Sequence, residues 1–394
     1  MGSTLAGKKQ VRIYILSTMS GAIWGGSEEL WFEMASFALA ENHKLIIEVS
    51  SWPKISDSIK SLLKKRAKII FRYVLWSKKR YGWCLAAYSR CRRFLARYPS
   101  FNEFSPDILC ISEGMSYSAL MAPDIFRRVR EFNGPYIVII QSHDETQMPD
   151  PETLEKARPF YEGAKTIFTV TNRHQILLQQ QLGLPLNKFA LIKNPIKRGS
   201  RYIQFPKMEP AQLAVVARLC IADKGQDILL RVLGKAKWSN RDWRLNLYGD
   251  GPDKKKLKEM VAKFNLEGRV TFCGYEPELS KIWSKNQIAI FPSRREGLPI
   301  ALVEALTSGR CAIVTDIGGN TELVKDGSSG FVALKVTEES IDATIERAWE
   351  RKDQWEQLGL NAREKTLNWI DYNPGKTLLD IITNIHDQTS GKQK

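Results

Sequence analysis

Several features are missing from this 394-residue sequence, and each absence narrows the class of protein. The six cysteines are scattered and form no Cys-x-x-Cys pair, which is typical of reduced core cysteines in a cytoplasmic protein. No apolar run reaches the roughly 18 residues that a transmembrane helix needs, and the N-terminal residues lack the pattern of a secretory signal. No Gly-x-Gly-x-x-Gly motif supports a dinucleotide-binding dehydrogenase. No Asp-x-Asp triplet supplies a carboxylate pair for a divalent metal, so we predict no metal site.

Positive charge is abundant but unevenly placed. The formal net charge is +16, and residues 54–98 contain fourteen lysines and arginines against a single acid, Asp57. The rest of the chain is therefore close to balanced, and the basicity is a local feature that requires its own explanation.

Short apolar segments alternate with helical patterns along the whole chain. Such segments are typical of parallel strands covered on both faces, and the alternation indicates βαβ units. The predicted strands are residues 11–17, 44–50, 107–112, 136–142, 166–171, 212–218, 244–249, 270–274, 288–293 and 311–316. The sequence therefore predicts an α/β protein with two doubly wound, Rossmann-like sheets of about five strands each.

The length and the change of pattern near residues 193–212 predict two domains. We place an N-terminal domain at residues 1–200, with a basic insertion at about 54–98, and a C-terminal domain at residues 208–370. A final helix and tail occupy residues 371–394. In such domains, ligands bind where strands end and helices begin, so the strand-to-helix loops are the candidate sites.

Three of these loops contain suggestive residues. Gly25 and Gly26 follow the first strand, and glycines there permit close approach to a ligand. Gly249 and Gly251 form a tight turn after another strand, which is equally consistent with an ordinary turn. Arg218 and Lys224 flank one loop of the C-terminal domain, where two cations suit a diphosphate, although most such residues are simply solvated.

The segment "SRREGLPIALVEALTSG", residues 293–309, is the most informative. Its turn leads into a helix at Pro299, and the amides of Gly297, Leu298 and the first helical turn form a potential anion site. Glu304 lies about 7.5 Å further along the helix axis, within reach of the ribose hydroxyls of a bound nucleotide. Glu296 lies on the turn itself, facing the group attached beyond the phosphates. The alternative is a helix whose Glu304 pairs with a distant cation.

Taken together, residues 293–330 resemble the retaining GT-B glycosyltransferases of family 4, because Glu296 and Glu304 match the family's E-x7-E motif. "ARL" with Lys224-Gly225 resembles the pair that grips the donor diphosphate, and "YGDGP" and "CGY", which includes Tyr275, resemble the nucleotide loops. "WGGSEE" resembles the glycine-rich loop of the N-terminal domain. "QSHDE" resembles the strand end that carries a histidine near the donor sugar, here His143. The resemblance is strong over about 212–335 and absent over 54–98.

The resemblance implies a GT-B fold with a central cleft and a C-terminal helix, about 374–387, that returns to the N-terminal domain. It implies transfer of a sugar from a UDP- or GDP-linked donor with retention of configuration and no covalent intermediate. Arg218, Lys224 and the helix tip at 297–299 would stabilise the departing diphosphate without a metal or another cofactor. His143 would contact the sugar or assist proton movement.

The acceptor is expected to be a glycan or a lipid-linked molecule bound by the N-terminal domain. The mixture of cations and aromatics in residues 54–98 predicts docking on an anionic membrane surface at the inner face of the membrane. The alternative is a helical hairpin that packs on its own domain and leaves a solvated basic face. A GT-B epimerase or phosphorylase, or a basic nucleic-acid-binding protein, are competing functions; the last would leave Glu296 and Glu304 unexplained.

Overall fold

In a computed structural model of the chain, which describes residues 10–20, 23–72, 101–196 and 201–391, the residues group into two units. The first unit holds the described residues up to Ser142, Thr146–Pro195 and those from Asn373 onward. The second holds His143–Glu145 and the described residues of Ile196–Tyr372. Each unit has a parallel sheet with helices on both faces, which confirms the predicted fold class.

The sheet of the first unit is seven-stranded among the described residues, in the order β3-β2-β1-β4-β5-β6-β7, and every pairing is parallel. Its strands are β1 Arg12–Ser17, β2 Lys44–Ser50, β3 Lys68–Arg72, β4 Ile108–Glu113, β5 Tyr136–Ile140, β6 Thr166–Thr169 and β7 Phe189–Leu191. Its first helices are α1 Gly26–Ala40, α2 Asp57–Lys64, α3 Phe101–Phe104, α4 Pro123–Arg130, α5 Pro151–Gly163 and α6 Asn172–Leu182.

Alternation within each strand explains why the apolar runs are continuous. In β1, Ile13 and Ile15 enter the core on one face of the sheet, whereas Tyr14 and Leu16 enter a separate core on the other. Successive side chains of a strand point to opposite faces. In a strand covered on both sides, the side chains of both faces therefore contact protein instead of solvent. Burial on both faces confirms the prediction that these runs are strands of a doubly wound sheet.

The sheet of the second unit is six-stranded among the described residues, in the order β10-β9-β8-β11-β12-β13, again parallel throughout. Its strands are β8 Ala211–Val216, β9 Trp243–Tyr248, β10 Val270–Gly274, β11 Ile288–Phe291, β12 Ala312–Thr315 and β13 Gly330–Ala333. Its helices are α7 Ile221–Lys224, α8 Gln226–Leu233, α9 Ala236–Ser239, α10 Lys254–Lys263, α11 Leu279–Trp283, α12 Ile300–Thr307, α13 Asn320–Leu323, α14 Glu338–Glu350 and α15 Trp355–Trp369.

The last helix, α16 Pro374–Gly391, belongs to the first unit, as predicted for a returning helix. Leu378, Leu379 and Ile382 are fully buried in the same core as β1 and α1. The Gly375 amide donates to the Glu33 carboxylate at 3.0 Å, and Lys376 pairs with Glu41 at 2.5 Å, so polar contacts fix its start against α1. No helix among the described residues combines the length and the apolar character needed to cross a bilayer.

The prediction that residues 54–98 form an insertion is wrong for the part that the structure describes. Residues 57–72 form α2 and β3, which are integral to the first sheet. Ile59 and Leu62 are buried in the core, and Ile69 and Phe71 pack against it. These apolar residues are therefore used for folding and are not available to a membrane, and residues 73–98 lie outside the described residues.

The predicted number of about five strands in each sheet was also too low, because β3, β7 and β13 were not predicted. β3 was not predicted because charged residues, including Arg72, interrupt its apolar pattern. Arg72 is nevertheless 94% buried. Its guanidinium lies 3.2 Å from the Glu48 carboxylate, which also accepts from Arg128 at 2.8 Å and Tyr14 at 2.6 Å. Burial raises the pKa of Glu48, but the bonds and charges of the two arginines outweigh it, so the pKa is lowered overall.

Candidate functional site

The site residues of the second unit lie on loops that follow β8 and β11. Gly225 lets these loops meet: it has a φ of +63°, and a Cβ placed there would come within 1.9 Å of the Pro292 carbonyl oxygen. Any larger residue would push the two loops apart. The glycine thus brings Lys224, at the end of α7, beside the turn that follows β11.

Lys224 and Glu296 form the centre of this site. The Lys224 ammonium lies 2.6 Å from Glu296 Oε1, and the same oxygen accepts a hydrogen bond from the Ser293 hydroxyl at 2.8 Å. Glu296 is 94% buried, whereas the lysine side chain retains about a fifth of its exposure. The pair therefore presents a cation at the surface, held in place by a carboxylate beneath it.

Asp223 holds the neighbouring arginines. It pairs with Arg218 at 2.9 Å and with Arg295 at 2.7 Å, and its carbonyl oxygen accepts from the backbone amides of Arg294 and Arg295. Burial raises the pKa of the Asp223 carboxyl, but the Cys220 hydrogen bond and the charges of Arg295, Arg218 and Lys224 outweigh it, leaving the pKa below its ordinary value. The carboxylate is therefore ionised at neutral pH and orients both arginines.

Arg294 is fixed by a second carboxylate, Asp227 on α8, through two hydrogen bonds of 2.6 and 2.9 Å. Such a two-pronged contact is the strongest form of an arginine–carboxylate pair. Asp227 also pairs with Arg231 at 2.8 Å. Arg218 and Lys224 were predicted from the sequence, but Ser293, Asp223 and Asp227, the residues that position the cations, were not. The only sequence signal for Asp223 was its place immediately before Lys224.

Gly249 and Gly251, predicted to bind the nucleotide, pack closely against the loop that follows β8. A Cβ on Gly249, whose φ is +122°, would lie 2.2 Å from the Ala217 carbonyl oxygen, and one on Gly251 would lie 2.3 Å from that of Leu219. The two glycines are therefore required for loop-to-loop packing. Tyr275, just after β10, is 75% exposed, so its ring is available at the surface.

The segment at residues 296–304 has the predicted turn followed by a helix. Pro299 is the N-cap of α12, and Gly297 and Leu298 are buried ahead of it. The Gly297 carbonyl accepts from the Gly319 amide at 2.7 Å, which anchors the turn to the loop after β12. Glu304 lies within α12 and is 94% buried.

The remaining predicted residues lie on different segments. His143 is buried and groups with the second unit in the short segment His143–Glu145. Gly25 and Gly26 lie at the start of α1 in the first unit, where Gly25 is the N-cap with an extended φ of −155°. No cluster of three or more metal-ligating side chains occurs within the described parts of the chain.

The fold defined by these two units is that of the GT-B glycosyltransferases. The crystal structure of HepE from Anabaena in complex with UDP superimposes with a TM-score of 0.68 at 16% identity, covering 95% of this chain and all of the other. A further structure of the same protein contains UDP-glucose. At this level of identity, the likeness concerns the fold.

Residues 200–365 match the family model described as glycosyl transferases group 1, which supports this family for the second unit. An exopolysaccharide phosphotransferase of Streptomyces coelicolor is 28% identical over 184 residues, or 46% of this chain and 19% of that protein. The alpha-D-kanosaminyltransferase of Streptomyces kanamyceticus is 26% identical over 143 residues, or 36% and 37% of the two chains. The matched segments thus span well under half the length of these relatives.

Proposed function

We propose that this chain is a retaining glycosyltransferase that transfers a sugar from a nucleotide diphosphate sugar to a glycan or lipid-linked acceptor. The observation that carries the proposal is the Lys224–Glu296 pair on adjoining strand-to-helix loops, with Arg218 nearby on the first of them. These residues lie within the segment that matches the group 1 family model. The binding of UDP and UDP-glucose by the Anabaena protein of the same fold supports a nucleotide-sugar donor.

In this proposal, the diphosphate of the donor binds to Arg218 and Lys224. Both side chains keep some exposure and both are held by carboxylates, so little conformational entropy is lost when they bind. The backbone amides of Gly297 and Leu298 add a second contact for a phosphate oxygen. Glu304 accepts hydrogen bonds from the ribose hydroxyls, and Glu296 accepts one from a hydroxyl of the transferred sugar.

The chemical step breaks the bond between the sugar and its phosphate oxygen, and negative charge develops on the diphosphate. Arg218 and Lys224 stabilise that charge in the transition state, which is the role that a bound metal plays in other enzymes. A hydroxyl of the acceptor attacks the sugar carbon from the face that the diphosphate leaves, forms the new sugar–oxygen bond and gives its proton to the departing phosphate oxygen. Attack on this face retains the configuration at the sugar carbon. The proposal therefore requires neither a divalent cation nor another cofactor, and assigns His143 to the sugar side of the site.

The acceptor is proposed to be reached at an anionic membrane surface on the cytoplasmic side. Six cations between residues 54 and 68 are exposed to solvent in the first unit, namely Lys54, Lys60, Lys64, Lys65, Arg66 and Lys68. Each basic residue near an anionic leaflet contributes about 1 kcal/mol to binding.

Thermal stabilisation by a panel of nucleotide sugars, followed by product analysis, tests the function. The melting temperature is expected to rise more with one nucleotide sugar than with an oligonucleotide of equal charge. Incubation of the best donor with and without acceptor then separates transfer from a GT-B epimerase or phosphorylase activity, and the anomeric configuration of the product is read by NMR. A product of inverted configuration, or a change in the donor that needs no acceptor, would contradict the proposal.

A further inference from the structure

Three consecutive residues between β5 and α5, namely His143, Asp144 and Glu145, group with the second unit. The Asp144 carboxylate lies 3.4 Å from the Arg295 guanidinium, 151 positions away in the chain. Glu145 Oε1 accepts a hydrogen bond of 2.9 Å from the backbone amide of Gly318, 173 positions away. The segment has no regular secondary structure, so these two tertiary contacts help to fix its place in the unit.

Both contacts lead to the turn that carries Glu296. Arg295 immediately precedes Glu296 in the chain. Gly318 packs against the same turn, because a Cβ built on it would lie 2.6 Å from the Glu296 carbonyl oxygen. The next residue, Gly319, donates to the Gly297 carbonyl oxygen at 2.7 Å. The acidic residues of the segment are therefore attached on either side of Glu296.

The contact to Arg295 belongs to a row of alternating charges. Arg295 lies between two carboxylates, at 3.4 Å from Asp144 and 2.7 Å from Asp223. Asp223 in turn holds Arg218 at 2.9 Å. If Asp144 is removed, Asp223 still holds both arginines. Loss of Asp144 is therefore expected to displace its own segment more than the cations proposed for the diphosphate.

His143 depends on this attachment for its position. Its side chain is 2% exposed, so the imidazole is confined by its surroundings and does not move through solvent to meet a ligand. A side chain of this kind is placed by the backbone that carries it and by the residues that hold that backbone. The two residues that follow His143 supply such support, and their partners lie beside Glu296.

We propose that Asp144 and Glu145 are positioning residues that hold the His143 imidazole at a fixed place relative to Glu296. The proposal rests on the glycosyltransferase function argued above and deepens it, because that function assigns both His143 and Glu296 to the transferred sugar. Neither Asp144 nor Glu145 needs to touch the donor. A change in orientation lowers the rate of the chemical step, whereas the affinity for the nucleotide part depends on other residues.

Steady-state kinetics of the full chain test this role, with the nucleotide sugar that stabilises the wild type most. Glu145→Ala removes the acceptor of the Gly318 amide and is expected to lower kcat about tenfold. Glu145→Gln keeps a side-chain oxygen for this amide and is expected to retain nearly the wild-type kcat. Affinity for UDP should be equal in all three chains, because UDP carries no sugar. Equal kcat of the two variants, or a loss of UDP affinity as large as the loss of kcat, would overturn the proposal.

A double-mutant cycle shows whether the effect passes through the imidazole. In a chain that already carries His143→Ala, Glu145→Ala is expected to lower kcat further by less than about twofold, because the group that it positions is absent. Independent losses that multiply would show that Glu145 acts by another route. Glu152→Ala is the matched control, since it removes a carboxylate that pairs with Lys156 on the exposed surface of α5, and it should behave like the wild type.

An NMR measurement tests the positioning without reference to activity. The chain contains four histidines, and the ring signals of His143 are identified by their loss in His143→Ala. These signals are expected to shift in Asp144→Ala and in Glu145→Ala, and to stay unchanged in Glu152→Ala. Unchanged His143 signals in both of the first two variants would overturn the proposal.

The two measurements keep this outcome distinct from the function itself. If no nucleotide sugar binds or reacts, the glycosyltransferase proposal fails, and the NMR signals alone decide whether Asp144 and Glu145 hold His143. If the wild type transfers a sugar but the His143 signals do not shift in the variants, only the positioning role is wrong.

Discussion

The Lys224 ammonium lies 2.6 Å from Glu296 Oε1, so the cation proposed for the donor diphosphate is already paired with a carboxylate. A bound diphosphate would therefore interact with an ammonium group that remains paired with Glu296. The carboxylate also fixes the ammonium at one point, which reduces the reorganisation needed during the reaction. The two residues are separated by 72 positions in the chain, and the close approach at Gly225 brings them together.

Replacing Lys224 tests its role toward the diphosphate. Lys224→Gln is expected to lower kcat/KM by about a hundredfold, the effect typical of losing one group that stabilises transition-state charge. Affinity for UDP should fall while affinity for uridine stays constant, because uridine carries no phosphate. An equal loss of affinity for both ligands would show that the variant has disturbed the fold of the site.

Glu304 and Glu296 are expected to affect different kinetic constants. Glu304→Ala should raise the KM for the donor, since the proposed ribose contacts exist in the ground state and the transition state alike. Glu296→Ala should mainly lower kcat, because it removes the contact to the reacting sugar and releases Lys224. Glu364→Ala, an exposed glutamate on α15, is the control. Unchanged turnover of Glu296→Ala at saturating donor would contradict this assignment.

Chelation tests the proposed independence from metal. Turnover is expected to be unchanged after treatment with EDTA, because Arg218 and Lys224 neutralise the leaving diphosphate. The measurement is the initial rate before and after chelation, with magnesium or manganese added back. Loss of activity that either ion restores would show that the diphosphate site has been misassigned.

The buried carboxyl of Glu28 predicts a pH dependence of stability. Burial raises the pKa of Glu28 to about 7 from an ordinary value of 4.5, so the folded state holds a proton that the unfolded state has released. Protonated Glu28 contributes about 3 kcal/mol to the free energy of unfolding relative to the ionised form. This contribution is fully present below pH 4.5 and is lost as the pH rises through 7. Glu28→Gln should remove this contribution, seen as a smaller decline in the urea midpoint between pH 5 and 8. Glu155→Gln, an exposed glutamate on α5, should leave the decline unchanged.

Replacement of Arg310 is expected to lower the stability of the second unit strongly. Its guanidinium is fully buried, and burial lowers the pKa of this arginine to about 10. It donates to backbone carbonyl oxygens of Ile203, Gln204, Trp283, Asn286, Ser308 and Gly309. Arg310→Lys cannot reproduce this planar set of bonds and is expected to destabilise the protein by about 3 kcal/mol or more. Arg244→Lys, at a part-exposed arginine on β9, is the control and should leave the unfolding midpoint nearly unchanged.

The sequence was sufficient to predict the class of fold and the turn and helix start that carry Glu296 and Glu304. Continuous apolar runs predicted most strands of both sheets, because a strand buried on both faces is apolar at most of its positions. The spacing of Glu296 and Glu304 around a turn and a helix start was also visible, since it depends only on neighbouring residues. Local geometry of this kind is encoded over a few positions.

Only the tertiary structure decided which residues of the basic segment are surface and which are core. From sequence, Arg72 was one of fourteen cations in residues 54–98, but it is buried and paired with Glu48, 24 positions away. The ion-pair partners of Lys224 and Arg218 could not be predicted from the sequence either, because ion pairs between distant segments depend on how strands are ordered in the sheet. Charge and periodicity describe a segment by itself, whereas burial depends on its neighbours in space, and these are set by the packing of the whole unit.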